Sequence, residues 1–257
     1  APAVQGALAG LDVRSEVQYG DLLRVLAPPA RLEAVAGLPG VRSVRRPYEP
    51  VPFAVTGEGV ALVNASVWQS GGWTGAGTKI AVLDTGFAGY TALLGTELPA
   101  IGATNFTTGN EGTSNHGAAV AEVVADVAPG AQLFLAKYSD DVDFGPAVDQ
   151  AINNWGATVI VHAAGFFQGG PGNGTGTVND KVTTTTAGGV LWVQAAGDHA
   201  QRHWSGVGTT DFNQNGFFDT FGLSEPHKIT ATAGDLIDVT LKWNDPYGDS
   251  VNDYDLY

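Results

Sequence analysis

Residues 79–86 read KIAVLDTG, four apolar residues in succession that run into an acid, a threonine and a glycine. A near-continuous apolar run is the mark of a strand buried on both faces, as in a parallel sheet, and the acid falls at its carboxyl end. The same character returns at 131–137, 158–164 and 190–196, in segments such as TVIVHAAG and VLWVQAAG. Helical apolar spacing fills the intervals and predicts helices over 116–127, 145–154 and 179–188. Strands alternating with helices predict a doubly wound α/β fold with a parallel sheet, whose ligands bind beyond the carboxyl ends of the strands. Asp84, Gly165 and Asp198 all stand at such ends.

The second decisive stretch is NHGAAVAEVVADVAPG, residues 115–130, in which His116 opens a helical apolar pattern 32 residues after Asp84. A carboxylate at a strand end and an imidazole at a helix start suit a proton-transfer pair, the acid fixing the tautomer of the ring that moves the proton of a nucleophile. A loop-capping aspartate and a surface histidine would supply the same two residue types. The flanking segments WTGAGTKIAVLDTG and HGAAVAEVVADVAPGAQL, in this order and spacing, resemble the subtilases, the subtilisin-like serine proteases, over roughly residues 72–200.

That resemblance implies a subtilisin-like doubly wound sheet, a secreted endopeptidase, and catalytic roles for Asp84 and His116. It also implies that Ala163, Ala164 and Gly165, in place of the family's usual Ser-Leu-Gly, line a groove for the substrate backbone. A groove built from main-chain groups tolerates those changes. His162, just before them, reads as a packed core histidine rather than a catalyst. The segment QAAGDHAQRHWSG resembles the family's oxyanion loop, with Asp198 where the family has asparagine. An amide donates to a developing oxyanion and an ionised carboxylate repels it, and loss of such a donor costs roughly 2.7–4 kcal/mol of transition-state stabilisation. A protonated aspartate can donate, so acid-tuned catalysis and lost activity both remain open.

By the family's order the nucleophilic serine lies about 157 residues after the histidine, near residue ~273 and beyond Tyr257. Ser139, Ser205, Ser224 and Ser250 lack the elbow context, and the Gly-Thr-Ser at 112–114 precedes the histidine directly. The expectation is therefore a fragment or zymogen-like form of a subtilase whose serine is missing from this chain. The alternative is a catalytically inactive subtilase-fold protein that acts in binding or in extracellular assembly.

Around this middle part, 51–204, two further regions are expected. Residues 1–50 read as strand, helix and strand, a small β-α-β unit that resembles the propeptide of subtilases, its tail VRSVRRPYEP laid toward the cleft; an N-terminal decoration of the catalytic domain is the plain alternative. Residues 205–257 read as the start of an inserted β-sandwich, with the terminal NDYDLY, 252–257, as a strand expected to pair with a second chain or to self-associate. Within that region DFNQNGFFD places Asp211, Asn213 and Asn215 at alternate positions before Gly216, with Asp219 beyond, a pattern that suits a structural calcium ion. The twelfth position is Gly222 instead of glutamate, which excludes an ordinary EF-hand and leaves a looser calcium loop, with a plain Asx-rich turn as the alternative.

Composition bounds the partners. The chain of 257 residues carries 12 Lys and Arg against 26 Asp and Glu, net −14, which argues against nucleic acid or an acidic membrane surface. The charge is uneven: residues 1–50 sum to +1 and residues 51–257 to −15. Zero cysteines exclude disulfides and thiol catalysis. No apolar run reaches the ~18 residues of a membrane span, and the start lacks the layout of a signal peptide. Sequons stand at Asn64, Asn105 and Asn173. The expected partners are a peptide or protein substrate, or the chain's own N-terminal segment in the cleft.

Overall fold

The computed structural model describes residues 2–48, 51–52, 59–197, 203, 211, 230–234, 236–237 and 239–245. The chain divides into two compact units, Ala1–Gly197 with Lys242–Tyr257, and Asp198–Leu241. Of the second unit the described residues carry one turn, at Ala233–Gly234, and no strand. The expected sandwich start falls mainly outside the described residues, and NDYDLY falls wholly outside them.

In the first unit the elements run α1 (Pro2–Ala9), β1 (Arg14–Tyr19), β2 (Leu22–Leu26), α2 (Leu32–Ala36), β3 (Val51–Pro52), α3 (Ala65–Ser70), β4 (Lys79–Asp84), α4 (Tyr90–Leu93), β5 (Ala103–Phe106), α5 (His116–Val127), β6 (Gln132–Lys137), α6 (Asp141–Asp149), β7 (Val159–His162), β8 (Ala164–Gly165), α7 (Thr177–Ala187) and β9 (Leu191–Gln194). Five of the strands form a wholly parallel sheet in the order β5-β6-β4-β7-β9. The residues expected as strands at 79, 131, 158 and 190 supply four of its members.

Central β4 alternates its side chains between two cores, as the period of a strand requires. Ile80 and Val82 pack with Val120, Ala121 and Ala125 of α5. Ala81 and Leu83 pack with Phe144, Ala147 and Val148 of α6. Both faces are thereby covered, which is why the run had to be apolar at every position. The chain builds β5 and β6 to one side of β4, then crosses to build β7 and β9 on the other. The carboxyl end of β4 is thus the switch point of the sheet, where such folds open a crevice, and Asp84 occupies it.

The N-terminal region differs from the expected strand, helix and strand. Residues 13–28 fold back as the hairpin β1–β2, turning at Gly20 with φ +55°, a conformation that glycine adopts without steric cost. Helix α1 precedes the hairpin, and residues 41–48 carry no strand. Leu8, Val13 and Val35 close a small core of their own, joined by Leu23, Val25 and Leu38.

Candidate active site

Asp84 ends β4 with no exposed surface. Its Oδ2 lies 2.7 Å from Nδ1 of His116, and its Oδ1 accepts from the Thr85 backbone N–H at 2.7 Å. Both carboxylate oxygens are engaged, so the side chain is held in one orientation. His116 is the first residue of α5, and its own N–H donates to Ser114 Oγ at 3.2 Å. The next residue locks helix and strand together: Gly117 N–H donates to the Gly86 carbonyl at 2.8 Å. A Cβ on Gly117 would stand 2.6 Å from Asp84 Cβ and 2.6 Å from the Gly86 oxygen. Only glycine permits the approach that brings ring and carboxylate together, so the His-Gly dipeptide is a geometric requirement of the pair.

Beside this pair, β8 forms a short antiparallel ladder with β3, Val51 opposite Gly165 and Pro52 opposite Ala164. Antiparallel ladders alternate bonded and non-bonded pairs, and proline has no N–H to give. Val51–Gly165 is therefore the pair that exchanges hydrogen bonds. Of the three residues read as a backbone groove, Ala164 and Gly165 pair with the extended segment after the N-terminal region, while Ala163 interrupts the strand between β7 and β8. His162 is buried, at 2% exposure, among the rings of Tyr138, Phe144, Phe166 and Trp192. Burial holds its pKa down to about 4.

The N-terminal region meets the sheet domain through charge. Asp140 caps α6, accepting from the N–H groups of Val142 and Asp143 at 3.0 Å each. Arg24 Nη1 sits between Asp140 Oδ2 at 2.7 Å and Asp143 Oδ2 at 2.8 Å. Arg45 Nη2 reaches Asp141 Oδ2 at 2.6 Å, and its guanidinium stacks 3.7 Å above the Tyr48 ring. Tyr48 and Asp141 are further joined by Tyr48 N–H to Asp141 Oδ1 at 3.1 Å and Asp141 N–H to the Tyr48 carbonyl at 3.2 Å. Burial works to lower the Arg24 pKa, but its hydrogen bonds to Asp143 and Asp140 outweigh that and raise it above the ordinary arginine value. One turn on, the Tyr19 ring rests on Gly145, where a methyl group would collide with it. Three nearly buried carboxylates in one helical turn would repel one another without these arginines, and breaking a buried ion pair by removing one partner typically costs roughly 3–5 kcal/mol.

Sequence reasoning missed this clamp. The predicted helix began at 145, four residues after the observed start of α6. The aspartates of its first turn were the available signal, since acids at a helix N-terminus are favoured by its dipole. The arginines that answer them lie in residues 1–50, which sum to +1 against −15 for the rest of the chain.

Asp198 lies outside the described residues, as do Asn213, Asn215 and Asp219. Of the expected calcium ligands only Asp211 is described, and it is half-buried. Among the described residues no three His, Cys, Asp or Glu side chains converge as a metal site, and no helix is long and apolar enough to cross a membrane.

Residues 75–217 match the model of the subtilase family. Among curated proteins the chain is 28% identical over 216 residues to alkaline elastase YaB of Bacillus sp. (strain YaB), covering 79% of this chain and 54% of that protein. It is 27% identical over 229 residues to an alkaline protease of Shouchella clausii, covering 80% of this chain and 58% of the relative. With subtilisin Savinase of Lederbergia lenta it shares 29% identity over 180 residues, 61% of this chain and 64% of the relative. The chain thus spans between half and two thirds of the length of these relatives. A parallel sheet with an aspartate at its switch point, a histidine opening the next long helix against it, and a family match over more than half the chain make this protein a member of the subtilase family.

Proposed function

We propose that Asp84 and His116 are the acid and base of an extracellular serine endopeptidase, and that the N-terminal region is its propeptide. The observation that carries the reading is the 2.7 Å bond between Asp84 Oδ2 and His116 Nδ1 at the switch point of the sheet. An ionised carboxylate can only accept there, so the ring carries its proton on Nδ1 and presents a lone pair at Nε2. Nε2 takes the proton of a serine hydroxyl as the serine oxygen bonds to the scissile carbonyl carbon, and the imidazolium is stabilised by Asp84. The same proton passes to the leaving amine as the C–N bond breaks. Water then repeats the sequence on the acyl-enzyme and restores the serine.

The serine belongs to a segment outside residues 1–257, in a Gly-Thr-Ser context. Main-chain groups of Ala164 and Gly165 hold the substrate as an added strand, a mode of recognition in which the backbone supplies affinity. The pairing of Val51 with Gly165 supports a zymogen-like arrangement, in which the N-terminal segment occupies that edge, and the arginine clamp on α6 docks the region that carries it. The extracellular setting rests on the family resemblance. The test is hydrolysis of a peptidyl p-nitroanilide by the natural protein after removal of the N-terminal region. Turnover that His116→Ala reduces at least ~10³-fold supports the reading.

Asp198 favours a second reading, a subtilase fold that binds without cleaving, because an ionised carboxylate in the oxyanion position opposes the negative charge of the transition state. Serine-bearing protein that takes up peptide and releases no product from pH 4 to 9 selects it.

Calcium belongs to the proposal as well, held by Asp211, Asn213, Asn215 and Asp219. Binding to the folded state alone would raise the thermal midpoint by several degrees at calcium well above Kd. Equal midpoints in calcium and in chelator would remove the ion from the account.

A further inference from the structure

A chain of side chains runs from the buried Tyr138 and His162 out to the exposed Gln194 and ends on the peptide group that faces the docked strand. Gln194 Nε2 donates to the Ala164 carbonyl at 2.7 Å. Gln194 Oε1 accepts from His162 Nδ1 at 2.8 Å and from Trp192 Nε1 at 3.1 Å. His162 Nε2 meets the Tyr138 hydroxyl. Every direction in the series is fixed. A carbonyl only accepts, so the amide nitrogen of Gln194 must face Ala164. Its oxygen then faces Nδ1, which must carry the proton. Nε2 is left with its lone pair, and Tyr138 donates to it.

The series begins where the ladder stops. His162 lies opposite Gln194 in the parallel sheet, and the last backbone bond between the two strands runs from Ala195 N–H to the His162 carbonyl at 3.0 Å. Beyond that point β9 offers β8 a side chain instead of a backbone group, and Gln194 takes the place of the missing rung. The carbonyl of Ala164 and the N–H of Gly165 belong to one planar peptide unit, so fixing one aims the other. That N–H lies in the pair which exchanges bonds with Val51.

We propose that Tyr138, His162 and Gln194 are positioning residues that set the plane of the Ala164–Gly165 peptide group, and through it the N–H offered to an extended segment docked on β8. The inference rests on the reading of β8 as the docking strand. Donors aligned in one direction polarise one another, so each link strengthens the next and makes the Gly165 N–H a better donor. His162 supports the series only while neutral, since protonation at Nε2 leaves Tyr138 nothing to donate to. The titratable groups facing the ring are Tyr138, the residue after β6, and the Asp84 carboxylate from β4, and Lys242 lines the same cavity. From α6, from the segment after β8 and from β9 it meets the uncharged Phe144, Phe166 and Trp192.

The test is amide hydrogen exchange by NMR on the intact chain. Gln194→Leu removes both ends of the amide, and Gln194→Glu keeps the acceptor for His162 while losing the donor to Ala164. Both should speed exchange at Gly165 and Val51 about tenfold, with Val82 and Leu135 in the central strands unchanged. Tyr138→Phe, which deletes one oxygen, should act in the same direction by a smaller factor. In the unaltered chain, exchange at Gly165 corrected for intrinsic rates should accelerate as pH falls through about 4, and His162→Phe should abolish that inflection. Protected Gly165 and Val51 amides that neither Gln194 substitution alters would overturn the proposal. Unprotected amides at both positions in the unaltered chain would overturn the docking reading of β8, and the proposal with it.

Discussion

Asp84→Asn is expected to lower turnover of the serine-bearing protein about 10⁴-fold, the largest activity effect of any single change in this chain. Asparagine fits the same space, but its amide can present an N–H to His116 Nδ1. The ring then carries its proton on Nε2, the atom that must take the proton of the serine. The fold should survive, because Thr85 N–H donates to an oxygen that asparagine retains. Unchanged thermal unfolding with kcat reduced to a ten-thousandth is the expected pair of results. A loss below tenfold would show that the pair does not act in proton transfer.

The largest pH-dependent stability effect should come from His162. Burial lowers its pKa from 6.5 to about 4 in the folded chain. Between those values the unfolded chain binds the proton and the folded chain does not, so stability falls as pH falls through this window. The penalty is complete below about pH 4, where it reaches about 3 kcal/mol. Urea unfolding at pH 7, 5.5 and 4 of the unaltered protein and of His162→Phe separates this contribution from that of the carboxylates. The unaltered protein should lose about 3 kcal/mol more than the variant over that range. Parallel losses in both would place the histidine in a more polar setting than its aromatic surroundings imply.

The parts of the fold legible in the sequence were those that local chemistry decides alone. β4, β6 and β7 announced themselves as apolar runs because they lie inside the sheet, β9 as a run of the same kind although its Leu191 and Val193 are exposed, and α5 as a stripe that starts at the histidine itself. β5 did not, since Ala-Thr-Asn-Phe is short, polar and at the edge of the sheet. The break at Ala163, which hands β7 over to β8, was also invisible, because the run from Val159 to Ala164 is apolar throughout apart from one histidine. Asp84 and His116 were readable because their spacing and glycines are fixed by a close approach that nothing else permits.

The remainder depends on contacts between residues far apart in the chain. Arg24 and Arg45 answer Asp140, Asp141 and Asp143 across about a hundred positions, and only the uneven charge hinted that the two regions belong together. The role of Gln194 follows from where β9 ends relative to β7, a register no composition carries. His162 was read as a core residue and is buried, but nothing in the residues around it told that both of its nitrogens would be used.

The most direct measurement is covalent labelling of the natural protein with a fluorophosphonate, followed by mass spectrometry of the labelled peptide. The account predicts one adduct, on a serine in a Gly-Thr-Ser context outside residues 1–257, with labelling reduced at least a hundredfold by His116→Ala. An adduct on a serine within residues 1–257, or labelling that His116→Ala leaves unchanged, would contradict it.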